Sequence, residues 1–256
     1  GMAHVLLVNS LFSRNDAGLA RDMRLICSMG ATVHPVIAAV NTATDPMQEF
    51  GGMYSLPPEV VSEQVKRMRE NFPVEAIVVG FLGAAETQTL VSDHIKVIKD
   101  DQPSVPIVVN PFLLNDAVHR TECMSALNAL KRDVLLVADL ITPSIAEAEV
   151  LTGMTIRDTT EMQYAAEMLL TLGPKAVLLR GGDFQEEHVT DMLVTEMASL
   201  TFHSPRLLRH NISGRQGFGG VIASAIAVCL ARGQNYQSAV AEALTAAKNF
   251  YLSDLL

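Results

Sequence analysis

Gly217-Phe218-Gly219-Gly220-Val221-Ile222-Ala223-Ser224-Ala225-Ile226-Ala227-Val228-Cys229-Leu230-Ala231 is the stretch on which the reading of this chain turns. The glycines at 217, 219 and 220 allow a tight turn and, lacking Cβ atoms, let a bulky anion approach the backbone. Val221 to Ala231 is apolar on nearly every side, which predicts a buried helix. Its first free N–H groups, and the positive end of its dipole, then face the glycine turn and favour phosphate. A glycine-rich connection into a core helix accounts for the same residues, so the motif alone leaves both readings open.

Outward from this stretch, apolar runs alternate with helical segments. Ala3–Val8, Thr32–Val40, Ala76–Gly80, Pro106–Asn110, Val137–Ile141 and Ala176–Arg180 read as buried strands. Between them lie helices near Ala17–Met29, Pro58–Asn71, Glu86–Lys99, Thr121–Leu135, Ser144–Thr152 and Thr159–Leu172, with Tyr236–Tyr251 last. Asn41–Gly52 reads as loop or an edge excursion. Asp191–Thr195 and Leu200–His203 read as an antiparallel hairpin, with Leu207–His210 as a further edge strand. Such alternation implies α/β architecture: right-handed βαβ units and a mostly parallel sheet covered on both faces, mixed at the hairpin end. Ligands of such sheets collect at the carboxyl ends of the strands, here Asn9, Gly80, Asn110, Thr142 and Gly181. Without repeat or linker, residues 2–256 are expected to form one domain.

Composition narrows the partners. A formal charge of -9 and a pI near 5.2 argue against nucleic acid, which needs clustered Lys and Arg. No apolar run is long enough to span a bilayer and no leader pattern opens the chain, so a soluble, cytoplasmic protein without membrane partners is expected. Cys27, Cys123 and Cys229 lie far apart, each in an apolar helical pattern, and are expected to be core thiols. The histidines show no metal-ligand spacing; His210 alone lies near the glycine turn.

Several stretches together resemble the hydroxymethylpyrimidine (phosphate) kinases. Ile141-Thr142-Pro143-Ser144-Ile145-Ala146-Glu147-Ala148 is similar to their "ITPNxxEA" segment, and Val177-Leu178-Leu179-Arg180-Gly181-Gly182-Asp183 to their "VLxKGGH" strand and turn. Asp16-Ala17-Gly18-Leu19-Ala20-Arg21-Asp22 resembles "GAGIQAD", Asn110-Pro111 resembles "DPV", and the glycine stretch sits where they carry "HGTGCTLSSAIA". The resemblance implies the ribokinase-like fold shared with pyridoxal kinases: a three-layer α/β/α sandwich around a mostly parallel sheet with an antiparallel edge. It implies ATP and Mg2+ as cofactors and transfer of phosphate to a hydroxymethyl group of a pyrimidine or pyridine vitamer, as in thiamine biosynthesis. The partners would be nucleotide and small-molecule substrate; a homodimer is compatible with it.

On this resemblance Gly217, Gly219 and Gly220 form the anion hole. Arg180, Gly182 and Phe218 meet the nucleotide, and Glu147 positions the metal through water. Asn9, Phe12, Ala43, Gly80 and Asn110 stand at the substrate. Ser144-x-x-Glu147 is equally a helix capping box, and the two roles are compatible. The chain also departs from the family: Gly220 stands where Cys or Asp is the catalytic residue, and Phe218 and Gln216 replace Thr and His. Phe12 falls at an acidic position, Ala43 at a Gln, Ser144 at an Asn and Asn110 at an Asp. Loss of a general base typically costs roughly 10²–10⁴ in rate. Three readings therefore stand: a pyrimidine kinase, a pyridoxal or pyridoxine kinase, and a catalytically impaired relative that binds or regulates. If Gly220 is the defect, Cys or Asp at that position should raise turnover.

Overall fold

The computed structural model describes residues 2–14, 17–45, 52–112, 121–182, 184, 187–205 and 218–254. Among the described residues nine strands form one sheet in the order β3-β2-β1-β4-β5-β6-β7-β8-β9. Its centre is β1 (His4–Phe12), β2 (Thr32–Asn41), β4 (Ala76–Val79), β5 (Ile107–Val109), β6 (Leu140–Ile141) and β7 (Ala176–Arg180), each parallel to its neighbours within this set. β8 (His188–Thr195) and β9 (Ser199–Pro205) continue it antiparallel beyond β7.

Side chains that alternate along a strand reach opposite faces, and both faces here are apolar. Leu6, Val8, Ile77 and Val79 enter one core. It is closed by α2 (Pro58–Asn71), α3 (Ala85–Asp101), α6 (Ile145–Thr152) and α7 (Thr159–Leu170). Val5, Leu7, Ala76 and Val78 enter the other. That face is covered by α1 (Gly18–Ser28), α8 (Phe218–Ala231) and α9 (Tyr236–Asp254). The three-layer sandwich with a mostly parallel sheet is thus as expected. α8 is buried from Gly219 to Cys229, as its all-round apolar sequence requires.

Four sequence expectations need correction. First, Val137 does not start a strand. The preceding helix, α4 (Thr121–Ala129), passes through a π-helical turn at Leu130–Val134 into α5 (Leu135–Val137). Val134 and Leu135 are buried as helical residues, and only Leu140–Ile141 pair as strand. Second, a strand lies just past the segment read as loop or edge excursion, where none was expected: β3 (Met53–Ser55) pairs antiparallel with β2. The sheet is therefore mixed at both ends. Third, the hairpin strands are longer than expected: β8 gains His188, Val189 and Thr190, of which only Val189 is buried, and β9 alternates between exposed and half-buried along its whole length.

Fourth, Cys27 is exposed, not a core thiol. The inward face of α1 is Gly18, Leu19, Arg21, Asp22, Leu25 and Ile26, which turns Cys27 outward. Cys229 is buried, its Sγ 2.7 Å from Oε2 of Glu242, and burial pushes its thiol up to about 12. The expected edge strand at Leu207–His210, and His210 itself, lie outside the described residues, as does the side chain of Cys123.

No described helix is long and apolar enough to cross a membrane.

Candidate active site

The site forms where the parallel strands end. Asn9, near the end of β1, is held by its amide: Oδ1 accepts from the N–H groups of Ser10 (2.8 Å) and Phe81 (2.9 Å), and Nδ2 donates to Oδ2 of Asp22 (2.9 Å). A side chain at Gly80 would collide with that amide, which explains the glycine after β4. Past β5 and β6, Thr142 Oγ1 donates to Asn110 Oδ1 (3.4 Å) and to the carbonyl oxygen of Gly219 (3.3 Å). The last residue of β7, Arg180, is only 4% exposed. Its Nε donates to the Thr142 carbonyl at 3.0 Å, and its Nη2 lies 3.5 Å from Oε1 of Glu147.

These contacts bring the start of α8 onto the strand ends. A Cβ on Gly219 would stand 2.6 Å from both Arg180 Nη2 and Asn110 Oδ1, so only glycine fits between the guanidinium and the amide. One residue on, a Cβ on Gly220 would stand 2.9 Å from each carboxylate oxygen of Asp22. Gly219 and Gly220 thus separate a cation on one side from a carboxylate on the other. Gly217 lies outside the described residues.

A cleft opens on each side of this glycine pair. The larger, about 270 Å³, is lined by Arg180, Asp191, Phe202, Pro205, Phe218 and Lys248 among others. Phe218 stands edge-on to Tyr251 (6.2 Å between ring centroids) and forms part of the wall rather than a plug. Asp191, whose Oδ1 accepts the Gly181 N–H at 3.0 Å, is raised by burial to about 6, against the pull of that N–H and of Arg180.

The smaller cleft is lined by Asn9, Phe12, Gly18, Asp22, Asn110, Phe112 and Gly220. Its volume of about 10 Å³ is room for one water. Phe12 and Phe112 meet edge-on across it at 5.8 Å. Gly18 has φ +75° and the Phe12 ring packed against it, so it requires glycine on both counts.

Among the residues expected at the site, Arg180, Gly219, Asn110 and Gly220 come together, with Asn9 and Phe12 in the smaller cleft and Gly80 behind Asn9. Gly182 is buried just past β7. Ala43 does not line either cleft: its N–H bonds Asn41 Oδ1 (2.9 Å) and its Cβ faces Gly52. Glu147 completes the capping box, with Oε1 accepting from the Ser144 N–H (2.8 Å) while Ser144 Oγ accepts from the Glu147 N–H (3.2 Å). No cluster of three or more His, Cys, Asp or Glu that would hold a metal occurs among the described residues.

Asp22 is one of the site residues that received no role from the sequence. It is 1% exposed, and burial raises its carboxyl to about 8 despite the Asn9 hydrogen bond and the Arg21 charge. Its signal was present: a carboxylate between Leu19 and Leu25 on the apolar face of a helix is rare unless something uses it.

The family described as Phosphomethylpyrimidine kinase matches residues 13–251. The chain belongs to the phosphomethylpyrimidine kinase family. Within it, the chain is 32% identical to a thiamine biosynthesis bifunctional protein of Geobacter sulfurreducens over 93% of its own length and 47% of the other. The chain therefore spans about half the length of that bifunctional relative. It is 30% identical to a hydroxymethylpyrimidine/phosphomethylpyrimidine kinase of Haemophilus influenzae, over 92% of this chain and 86% of that one. Among solved structures it is similar in fold to an ADP complex of Bacillus subtilis pyridoxal kinase. There the TM-score is 0.82 at 20% identity, covering 96% of this chain and 90% of the other.

Proposed function

We propose that this chain is an ATP-dependent kinase that phosphorylates the hydroxymethyl group of a pyrimidine vitamer, acting as one domain over residues 2–256. The observation that carries the reading is the glycine pair Gly219–Gly220 set between two clefts, with Arg180 on one side and Asp22 on the other. Phosphoryl transfer needs donor and acceptor held in line and the spreading charge neutralised, with little covalent work by the protein. The N-terminus of α8 supplies backbone N–H groups for that charge, and Arg180 supplies a guanidinium fixed by Thr142 and Glu147.

The larger cleft suits the nucleotide. Phe202, Pro205 and Phe218 offer apolar surface, and Lys248 and Arg180 offer cations. Magnesium would arrive with the phosphates, which supply most of its oxygen ligands, and would neutralise their charge. Glu147 fits as one carboxylate facing it through water, held in place by the capping box. The smaller cleft suits the acceptor, with Asn9 and Asn110 as polar edges and Phe12 and Phe112 as ring-sized walls. It has room for one water only, so acceptor entry requires those two rings to part.

A second reading, binding without turnover, draws on that closed cleft and on the absence of a side chain at Gly220. Incubation with ATP, magnesium and hydroxymethylpyrimidine, pyridoxal or pyridoxine, with mass detection of the phosphorylated product, separates the two. Product from the pyrimidine at enzyme-like rates supports the proposal, and product from the pyridines alone redirects it to pyridoxal-type kinases. Tight binding with no product from any of them leaves the binding protein.

A further inference from the structure

Where a side chain is missing from α8, a carboxylate arrives from α1. Both oxygens of Asp22 stand 2.9 Å from the position a Cβ on Gly220 would take. Asn9 Nδ2 fixes Oδ2 at 2.9 Å, while Oδ1 has no hydrogen-bond partner among the described residues. Asp22 is 1% exposed, and it borders the smaller cleft together with Asn110 and Gly220. A buried carboxylate oxygen left without a partner is costly, and such atoms in native proteins call for a use.

Resting on the kinase reading above, we propose that Asp22 is the general base of this chain, its Oδ1 taking the proton of the acceptor hydroxyl in place of a residue at position 220. In that step the acceptor O–H bond breaks and the proton passes to Asp22 Oδ1. The freed oxygen bonds to the terminal phosphorus of the nucleoside triphosphate. The bond from that phosphorus to the bridging oxygen breaks, and the nucleoside diphosphate leaves with the electron pair. With glycine at 220, the Asp22 carboxylate reaches the space that a side chain at that position would otherwise enter.

The electrostatics agree. Asn9 on β1, Asn110 after β5 and Gly220 on α8 face Asp22 without charge. Arg21 adjoins it on its own helix, and Arg180 of β7 stands beyond Gly219. Burial outweighs these and pushes the carboxyl up to about 8, a basicity suited to accepting a hydroxyl proton near neutrality. Activity should therefore rise with pH and level off near 8.

The test uses the full chain with ATP, magnesium and hydroxymethylpyrimidine, measuring kcat and KM between about pH 6 and pH 9.5. Wild type, Asp22→Asn and the double variant Asp22→Asn/Gly220→Asp are compared. Asp22→Asn should fold, because its amide oxygen still accepts from Asn9. It should keep KM within about threefold, lose roughly 10²–10³ in kcat and lose the rising limb of the profile. The double variant returns a carboxylate to α8 and should regain at least about tenfold.

An Asp22→Asn variant with near-normal kcat and the same limb overturns the assignment while leaving the kinase reading intact. A wild-type profile that is flat over this range overturns it too, without need of any variant. If the wild type makes no phosphorylated product from any hydroxymethyl acceptor, the kinase reading and the base fall together.

Discussion

Asp22 and Gly220 share one space: a Cβ on the glycine would lie 2.9 Å from both oxygens of the carboxylate. Sequence reasoning alone suggests that Cys or Asp at position 220 would restore a lost base, and this relationship reverses the expectation. In the otherwise native chain, Gly220→Asp sets two carboxylates against each other in a buried site, and Gly220→Cys crowds Asp22 off its place. Both variants should turn over more slowly than wild type and lose about 1–3 kcal/mol of stability, read by steady-state kinetics and urea unfolding. Faster turnover in either one would restore the simpler view of a missing base.

The same carboxylate makes stability depend on pH. Its pKa stands at about 8 in the folded chain against an ordinary 3.8, because burial disfavours the charged form. Its contribution to stability is therefore fully present below 3.8 and is lost as pH rises through about 8. Asp22→Asn cannot ionise. The variant should unfold at higher urea than wild type at pH 8, by a few kcal/mol, with the gap shrinking toward pH 4. A variant less stable than wild type at pH 8 would show that the ionised carboxylate is held by more than Asn9 and Arg21.

How much of this could be read from residues alone varied with the length of the signal. The runs of β1, β4 and β7, apolar at successive positions, announced strands buried on both faces, and Ser144-x-x-Glu147 announced the helix start that is observed. β3 is three residues long and has no periodicity to detect. The π-helical turn Leu130–Val134 keeps a helical apolar pattern into a segment whose Val and Leu also suit a strand. The cluster at the strand ends was legible as positions, since topology places Asn9, Asn110, Thr142 and Arg180 there. Asp22 beside Gly220 was not, because that contact joins the first helix to the last helical pair and no local pattern encodes it. Ala43 was placed by position in a motif, but the hydrogen bond to Asn41 turns its loop toward Gly52.

Arg180 is fixed by the Thr142 carbonyl at 3.0 Å and by Glu147 at 3.5 Å. Arg180→Lys keeps the charge but loses the planar fork that holds both partners. We expect kcat/KM for ATP to fall roughly 10–10²-fold in Arg180→Lys and about 10³-fold in Arg180→Met. Unchanged ATP kinetics in the Met variant would remove Arg180 from the nucleotide side.

Glu147 has two separable duties, the cap and the magnesium. Glu147→Gln keeps an oxygen to accept the Ser144 N–H and should hold stability within about 1 kcal/mol while raising the magnesium requirement several-fold. Glu147→Ala should lose about 1 kcal/mol more from the lost cap. A Gln variant with wild-type magnesium dependence would leave Glu147 a cap and an ion-pair partner only.

On the kinase reading, the terminal phosphate of a nucleotide seats on the backbone of Gly219 and Gly220, between Arg180 and Asp22. A crystal structure with a non-hydrolysable ATP analogue and magnesium measures this directly. The terminal phosphate is expected within hydrogen-bond reach of the first α8 amides, with the adenine between Phe218 and the β9 wall. A phosphate bound elsewhere, with Gly219 and Gly220 still packed against Arg180 and Asp22 and no anion between them, would contradict it.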